Sequence, residues 1–306
     1  MTRRSLPLFL IFPLFLVLFS TQTQAQRWKR YRHEVSISLG GANYMGDLGG
    51  ATTGDGSRFG DFQFSVTRPA FGASYRYRLL ERVALKGNIM YCQVYGDDAE
   101  AGNESRKNRN LNFRSPVIEG SIQGEFYFLK ESSSSAYRVP GMKGGGGSKL
   151  AGYVFAGIGL FYYNPQGEDA NGDWVDLADL NTEGQGLPGG PADYSQVAVT
   201  MPVGIGFKYA INRQWSLGFE YGIRMTSTDY LDDVSTSYYD PTALRAAYGD
   251  QAVEMADKRI SSDGQDLPPR GAGGIRGGSE YSDTYMFGFL TLGYKFKSGR
   301  KGRTRF

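Results

Sequence analysis

The sequence predicts an all-β protein, an eight-stranded antiparallel up-and-down transmembrane β-barrel with long extracellular loops. Three observations carry that expectation: a long two-residue rhythm, a composition rich in Gly and aromatics, and connections that alternate short with long. The rhythm is clearest from Val197 to Thr226. Val197, Val199, Met201, Val203, Ile205, Phe207 and Tyr209 occupy every second position. After a tight Asn212-Arg213-Gln214 turn, Trp215, Leu217, Phe219, Tyr221, Ile223 and Met225 do the same. The positions between are mostly Gly, Ser, Thr or charged. Side chains alternate sides along a strand, so one face is apolar and the other small or charged. Each run also reaches the ~9–11 residues that a tilted transmembrane strand needs. The 43 Gly, 21 Tyr and 19 Phe, with a mean hydropathy of −0.40, fit a barrel whose loops and inner faces are polar.

Residues 1–25 read as a signal peptide: Arg3 and Arg4 precede an apolar stretch from Leu6 to Phe19, and Thr23-Gln24-Ala25 offers small residues for cleavage. The remainder, 26–306, is then a single barrel domain with short basic periplasmic ends. The formal net charge of +3 falls by two when Arg3 and Arg4 leave, so no global basic field points to nucleic acid. The lone Cys92 excludes an internal disulfide.

The first strand runs from about His33 to Gly41, with Val35, Ile37 and Leu39 alternating against Ser36 and Ser38. A Gly/Asp-rich loop follows to Thr67. The second strand, about Arg68 to Leu79, and the third, Val83 to Tyr95, are joined by a short Leu80-Glu81-Arg82 link. Gly96 to Asn112 reads as a charged loop, and the fourth strand as Phe113 to Leu129. A Ser/Gly-rich connection, most flexible at Gly144 to Gly147, leads to the fifth strand, Leu150 to Tyr163, which is apolar on both faces. The opening hairpin supplies strands six and seven after a loop from Asn164 to Gln196. Within the longest loop, Ser227 to Asp283, Asp240-Pro241 followed by Thr242 to Lys258 predicts an N-capped helix. The last strand is about Thr284 to Lys297. Pro202 removes a ladder hydrogen bond in mid-strand and is expected to mark a bulge or register break. Aromatics at the strand ends suit two interfacial girdles. With both termini on the periplasmic side, the long loops face outward from the bacterial outer membrane.

An eight-stranded barrel is just wide enough for side chains to fill it. The alternation sends Arg76, Arg78, Lys86, Glu119, Glu125, Lys208, Glu220 and Arg224 inward, where they are expected to pair, Glu220 with Lys208 across the hairpin. No catalytic, cofactor-binding or metal residues are expected. The sole His33 has no Ser and acid spaced to make a triad. Asp169, Asn171, Asp173 and Asp176 lack the Gly and the twelfth-position acid of a calcium loop. Positive charge gathers instead at the chain ends. Arg27, Lys29, Arg30, Arg32, Arg213, Arg300, Lys301, Arg303 and Arg305 form a candidate periplasmic partner-binding surface.

Four stretches resemble a known family: Leu39-Gly-Gly-Ala-Asn-Tyr-Met-Gly-Asp-Leu48, Val154 through Pro165, Thr182-Glu-Gly-Gln-Gly-Leu-Pro-Gly189 and Thr228-Asp-Tyr-Leu-Asp-Asp-Val-Ser-Thr236. They are similar to the PorG-like outer-membrane barrels of Bacteroidetes. That resemblance implies a non-enzymatic component of the type IX secretion machinery, set in outer-membrane lipid. It also implies periplasmic ring partners like PorK and PorN. The alternative is a free-standing outer-membrane barrel whose surface loops bind a ligand or a surface protein.

Overall fold

In the computed structural model, residues 27–49, 65–131, 148–261, 263–279 and 282–297 are described. The predicted leader at 1–25, the Gly run at 144–147 and the basic tail beyond 297 lie outside them. The strands are β1 (His33–Met45), β2 (Arg68–Arg78), β3 (Val83–Asp97), β4 (Asn112–Leu129), β5 (Leu150–Tyr163), β6 (Gln166–Glu168), β7 (Trp174–Asp176), β8 (Val197–Ala210), β9 (Trp215–Thr226) and β10 (Thr284–Phe296). Eight of them are long, and each pairs antiparallel with the next long strand in the chain. β10 then returns to β1, with Val35 opposite Tyr294 and Leu39 opposite Leu290. The ladder is therefore a closed ring, which leaves no long strand with a bare edge. β6 and β7 form a small hairpin that hangs from the loop end of β4, where Gln166 meets Arg114.

The distribution of side chains is that of a globular protein turned inside out. Ile37, Ile89 and Leu290 on the outer face are 65%, 67% and 62% exposed, whereas Glu119 and Arg224 inside are 0% and 1% exposed. Strand parity produces this directly, since i and i+2 share a face. β5 fits the same rule despite being apolar on both faces. Val154, Ile158 and Leu160 point out, while Tyr153, Phe155, Phe161 and Tyr163 fill the lumen. Those rings need room, and Gly supplies it on the strands opposite. A Cβ on Gly206 would lie 2.3 Å from Tyr153 Cζ, and one on Gly204 2.5 Å from Phe155 Cζ.

Several boundaries differ from the expectation. β1 continues through Gly40 and Gly41 to Met45. The Gly pair looks like a strand end in sequence. In the barrel it is where two backbones approach, because a Cβ on Gly40 would fall 1.8 Å from the Gly288 carbonyl oxygen. β3 likewise runs on to Asp97. The loop after it holds an unexpected helix, α1 (Glu104–Arg109), with the Asn103 side chain accepting from Ser105 N at 2.8 Å. The single helix expected over 242–258 is two, α2 (Pro241–Tyr248) and α3 (Asp250–Ala256). They are split at Gly249, whose φ of +90° leaves the helical region. The Asp240 carboxylate does cap α2, accepting from Thr242 N at 2.9 Å.

Pro202 makes neither a bulge nor a register break. On the β9 side the pairs Met201–Met225, Pro202–Arg224 and Val203–Ile223 are continuous. On the β5 side Ala156 pairs with Val203 and Gly159 with Thr200, the same register above and below the proline. The missing donor is absorbed as a short lapse in the ladder, because the partners on both flanks fix the alignment. The irregularity in the sheet falls elsewhere, between Tyr127 and Leu129 of β4.

Gly206→Ala should push the Tyr153 ring off its site and destabilise the barrel by about 1–3 kcal/mol, the usual range for overpacking. A thermal melt in detergent that matches wild type would refute this role for the glycine.

Candidate functional site

Two polar assemblies dominate the molecule, one inside the barrel and one over its loop end. In the half of the lumen nearer the termini, Arg76 on β2 holds three carboxylates. Its Nη1 lies 2.7 Å from Glu34 Oε1, its Nε and Nη2 lie 2.6 and 2.8 Å from the two oxygens of Glu125, and Nη2 reaches Glu220 at 3.3 Å. The planar guanidinium suits this work, since its donors form a fork that matches a carboxylate. Lys86 donates to Glu220 at 2.8 Å, and Lys208 donates to Glu34. Tyr127 and Tyr153 donate to Glu125 and Glu220 at 2.9 and 2.5 Å. Every one of these side chains is buried. A lone charge there would carry a desolvation penalty of several kcal/mol, so mutual pairing is what makes the set tolerable.

Of the eight residues that alternation sends inward, Arg76, Lys86, Glu125, Lys208 and Glu220 gather in this network. Glu119 and Arg224 form a separate pair nearer the loop end, at 2.6 Å, where Tyr285 also donates to Glu119 at 2.9 Å. Arg78 stays outside, half-buried over the Tyr127 ring at 4.9 Å. The expected Glu220–Lys208 pair is not the one made. The two are diagonal across the hairpin, Lys208 facing Gly218 and Glu220 facing Gly206. Each long side chain reaches over the lumen to another strand instead. Glu34 and Lys295 were the charged groups missed. The parity that marked Ser36 and Ser38 as inward applies equally to Glu34, and the inward Thr291 and Gly293 lead to Lys295.

The second assembly ties the loops into a cap. Arg276 is buried among residues 228–236 and 182–189. It meets Glu183 at 3.1 Å, donates to the Asp233 carbonyl, and donates from Nε to the Ala256 carbonyl at 3.1 Å. Glu183 in turn accepts from Ser235 N and Thr236 N at 2.9 and 3.0 Å and from the Thr236 hydroxyl at 2.6 Å. Arg109 from α1 grips Asp98 at 2.7 and 2.9 Å and donates to the carbonyls of Asp47 and Arg276, each at 2.7 Å. Two loop motifs that looked informative in sequence are thus held together by one arginine and one glutamate. Asp169, by contrast, closes the β6–β7 hairpin by accepting from Asn171 N and Asp173 N at 2.9 Å. Asp176 accepts from Asn164 and Gln166 at 2.8 and 2.7 Å.

At the root of the cap the Tyr44 hydroxyl sits 2.6 Å from both Asp232 Oδ2 and Asp283 Oδ1, and accepts from Asp47 N at 3.1 Å. The remaining oxygens accept from Val234 N and Leu231 N at 3.0 and 2.9 Å. A phenol has one hydrogen to give, so two such short contacts call for a carboxyl proton on one aspartate. Burial first, then repulsion from neighbouring carboxylates, holds both Asp232 and Asp283 well above the usual carboxylate range. Burial also pushes Asp229 up to about 7, with Asp47 and Glu183 adding repulsion. It pushes Asp233 up to about 6 against the pull of Arg276.

The basic groups expected at the chain ends are described in part. Lys29, Arg30 and Arg213 are exposed, while Arg32 is half-buried, 4.9 Å over the Trp28 ring and donating to the Tyr77 hydroxyl at 3.3 Å. Arg27 opens a short 3-10 turn ending at Arg30. Arg300, Lys301, Arg303 and Arg305 lie outside the described residues. His33 Nδ1 is 2.5 Å from the Tyr75 hydroxyl. Among the described residues no group of three or more His, Cys, Asp or Glu is placed to hold a metal ion.

These features define the class: a small closed antiparallel barrel with an ionic plug and a folded cap. The chain belongs to the family described as a domain of unknown function, DUF6089, whose model matches residues 8–250. Comparison with the curated proteins gave no match. Among solved structures, it is similar to Neisserial surface protein A at 11% identity and a TM-score of 0.37, covering 86% of this chain and 97% of that one. It is similar to Ail, the attachment invasion locus protein of Yersinia pestis, at 10% identity and 0.36, covering 87% and 99%. For the Escherichia coli outer membrane protein W the figures are 15% and 0.33, again covering 87% and 99%.

Two outcomes follow from this geometry. Glu220→Ala leaves Lys86 only the more distant Glu125, at 3.9 Å, and takes one of three carboxylates from Arg76, so it should destabilise the barrel by about 3–5 kcal/mol; an unchanged melt in detergent would remove the network from the list of stabilising features. In the cap, folded Asp229, Asp232, Asp233 and Asp283 keep protons at a pH where the unfolded chain has released them. Their contribution is therefore complete below the ordinary carboxylate value, and the share of Asp233 and Asp229 is lost as pH rises through about 6 and about 7. Protease resistance of segment 227–261 should fall as pH is raised through that window, and Asp229→Asn should flatten its upper part. Resistance that is flat or rises with pH in the wild type would contradict the assignment.

Proposed function

We propose that this protein is a non-enzymatic outer-membrane barrel of the type IX secretion machinery, docking periplasmic ring proteins like PorK and PorN through the face that carries its termini. The observation that carries the membrane part is the inside-out wall, a closed ring of strands with apolar side chains outward and paired charges within. Backbone in hydrocarbon must satisfy its hydrogen bonds internally, and a closed barrel does so. The eight wall strands, from 11 residues in β2 to 18 in β4, meet or exceed the span a tilted strand needs. The polarity of the connections supports the orientation: short turns at 79–82 and 211–214 share one end with the termini, and the large cap occupies the other.

The secretion part rests on the resemblance of four stretches to PorG-like barrels. Three of them, 39–48, 182–189 and 228–236, contain groups that build the root and clasp of the cap: Tyr44, Glu183 and Asp232. Docking is assigned to the opposite, end-on face, where Arg30 and Arg213 are exposed. The absence of an enzymatic role is supported by the engagement of His33 with Tyr75 and of the lumen carboxylates with cations. A second reading, a free-standing barrel whose loops bind a surface protein, is favoured by one feature of the cap. Leu267 and Ile275 stand 41% and 81% exposed there.

Affinity purification from outer membranes separates these readings. Stoichiometric recovery of periplasmic ring proteins, reduced by Arg30→Glu with Arg213→Glu, is the expected outcome; recovery of the barrel alone, or with a surface protein lost on Ile275→Asp, would favour the second. The membrane reading has its own check. Ile122→Arg, in the middle of the outer face of β4, should weaken insertion by about 2–4 kcal/mol, and insertion into vesicles at wild-type efficiency would sink it.

A further inference from the structure

The outer wall ends, on the side of the termini, in a band of half-exposed aromatics: Tyr75, Phe126, Tyr209, Trp215 and Phe296. Just past that band lie Lys29 before β1, Arg82 in the β2–β3 turn, Lys149 before β5 and Lys297 after β10. All four are exposed and, among the described residues, none makes an ion pair. The two acids at this rim are already occupied, Glu81 by Lys130 at 3.1 Å and Glu131 by Lys295. What remains uncompensated is therefore positive, and it is spread around the circumference. Two of the cations lie against aromatic rings, one of them a ring of the band. The ammonium of Lys149 lies 5.8 Å from the centroid of the outward-facing Tyr209, and that of Lys29 5.8 Å from Trp28. At the other rim the wall arginines are tied down. Arg68 lies 4.1 Å over Tyr95, and Arg114 lies 4.3 Å over Trp174 while donating to Gln166.

We propose that this collar binds the headgroups of anionic phospholipids in the leaflet at the termini side. The inference rests on the membrane reading above and is independent of the secretion role. An acidic protein docking end-on meets one face of the barrel, whereas cations just beyond the aromatic band at the ends of separate strands around a wall are met together by one neighbour, the surrounding lipid. Tyr and Trp rings settle at the headgroup level. A Lys or Arg just beyond them, its stem along the apolar wall, places its charge among the phosphates. Each cation gains a phosphodiester oxygen as a charge-assisted acceptor, with no covalent change to either side.

The test uses the full-length protein in nanodiscs of phosphatidylcholine doped with spin-labelled phosphatidylglycerol or spin-labelled phosphatidylcholine. One basic side chain near a membrane surface corresponds to about a fivefold preference, so motionally restricted phosphatidylglycerol should exceed phosphatidylcholine by about that factor. Salt should erode the preference. The variant Lys29→Gln/Arg82→Gln/Lys149→Gln/Lys297→Gln should bring the two lipids level, while Arg245→Gln on the cap leaves the preference intact. Equal association of both lipids with the wild type overturns the proposal. So does a preference that survives the fourfold variant, or a collar that takes up an acidic peptide while ignoring phosphatidylglycerol. A protein that fails to enter the nanodisc at all overturns the membrane reading together with the collar; one that enters and shows no preference overturns the collar alone.

Discussion

Closure of the hydrogen-bonded ring is the constraint from which the rest of the structure follows. Once β10 meets β1, each wall strand has two partners, and the inner radius is set by the strand number. The interior then has to be filled by whatever the inward parity supplies. Here it supplies two kinds of material. β5 and β10 bring rings, while β8 and β9 bring glycines that leave space for them. Charged groups come from almost every wall strand, and they are placed so that Arg76 and Lys86 sit among Glu34, Glu125 and Glu220. Such a network is weak evidence of stability by itself, because an apolar filling of equal volume can serve as well. Its stronger effect is to fix which strand lies opposite which, since every slip would strand a charge.

The cap obeys a different logic. Its loops have little regular structure and cannot rely on a ladder, so buried side chains accept and donate for the backbone instead. Glu183 receives two backbone amides and one hydroxyl, and Arg276 gives its hydrogens to two loop carbonyls. This is how a long connection becomes a defined surface rather than a set of independent loops. Several carboxyls there hold their protons more tightly because they are buried beside other carboxylates, against the opposing pull of the backbone amides of Leu231 and Val234.

The wall was legible because its signal is a period, and a period survives Gly, Pro and aromatic substitutions. Strands β5, β8 and β9 match the expected limits, and Pro202 leaves the register untouched since partners on both sides hold it. What was hidden is what parity cannot express. Gly40 and Gly41 look like a stop in one dimension and are a point of backbone contact in three. Gly249 splits a helix through a single left-handed φ. Alternation also says which side chains point inward without saying how far each reaches, so it gave most of the lumen charges but the wrong partner for Glu220. The cap was least legible, because Arg276 finds Glu183 93 residues away along the chain and Tyr44 finds Asp283 239 residues away.

That separation has a consequence for assembly. Tyr44 belongs to the end of the first strand, Asp283 stands one residue before the last, and Asp232 sits in the connection between. Joining them requires the opening and closing staves to be already side by side. Contacts so remote along the chain form slowly, since a very large loop must close before they can be made. The surface formed by the cap is thus the last part of the molecule to take shape, and a barrel that stalls one strand short would present an unfinished exterior however complete the rest of its wall.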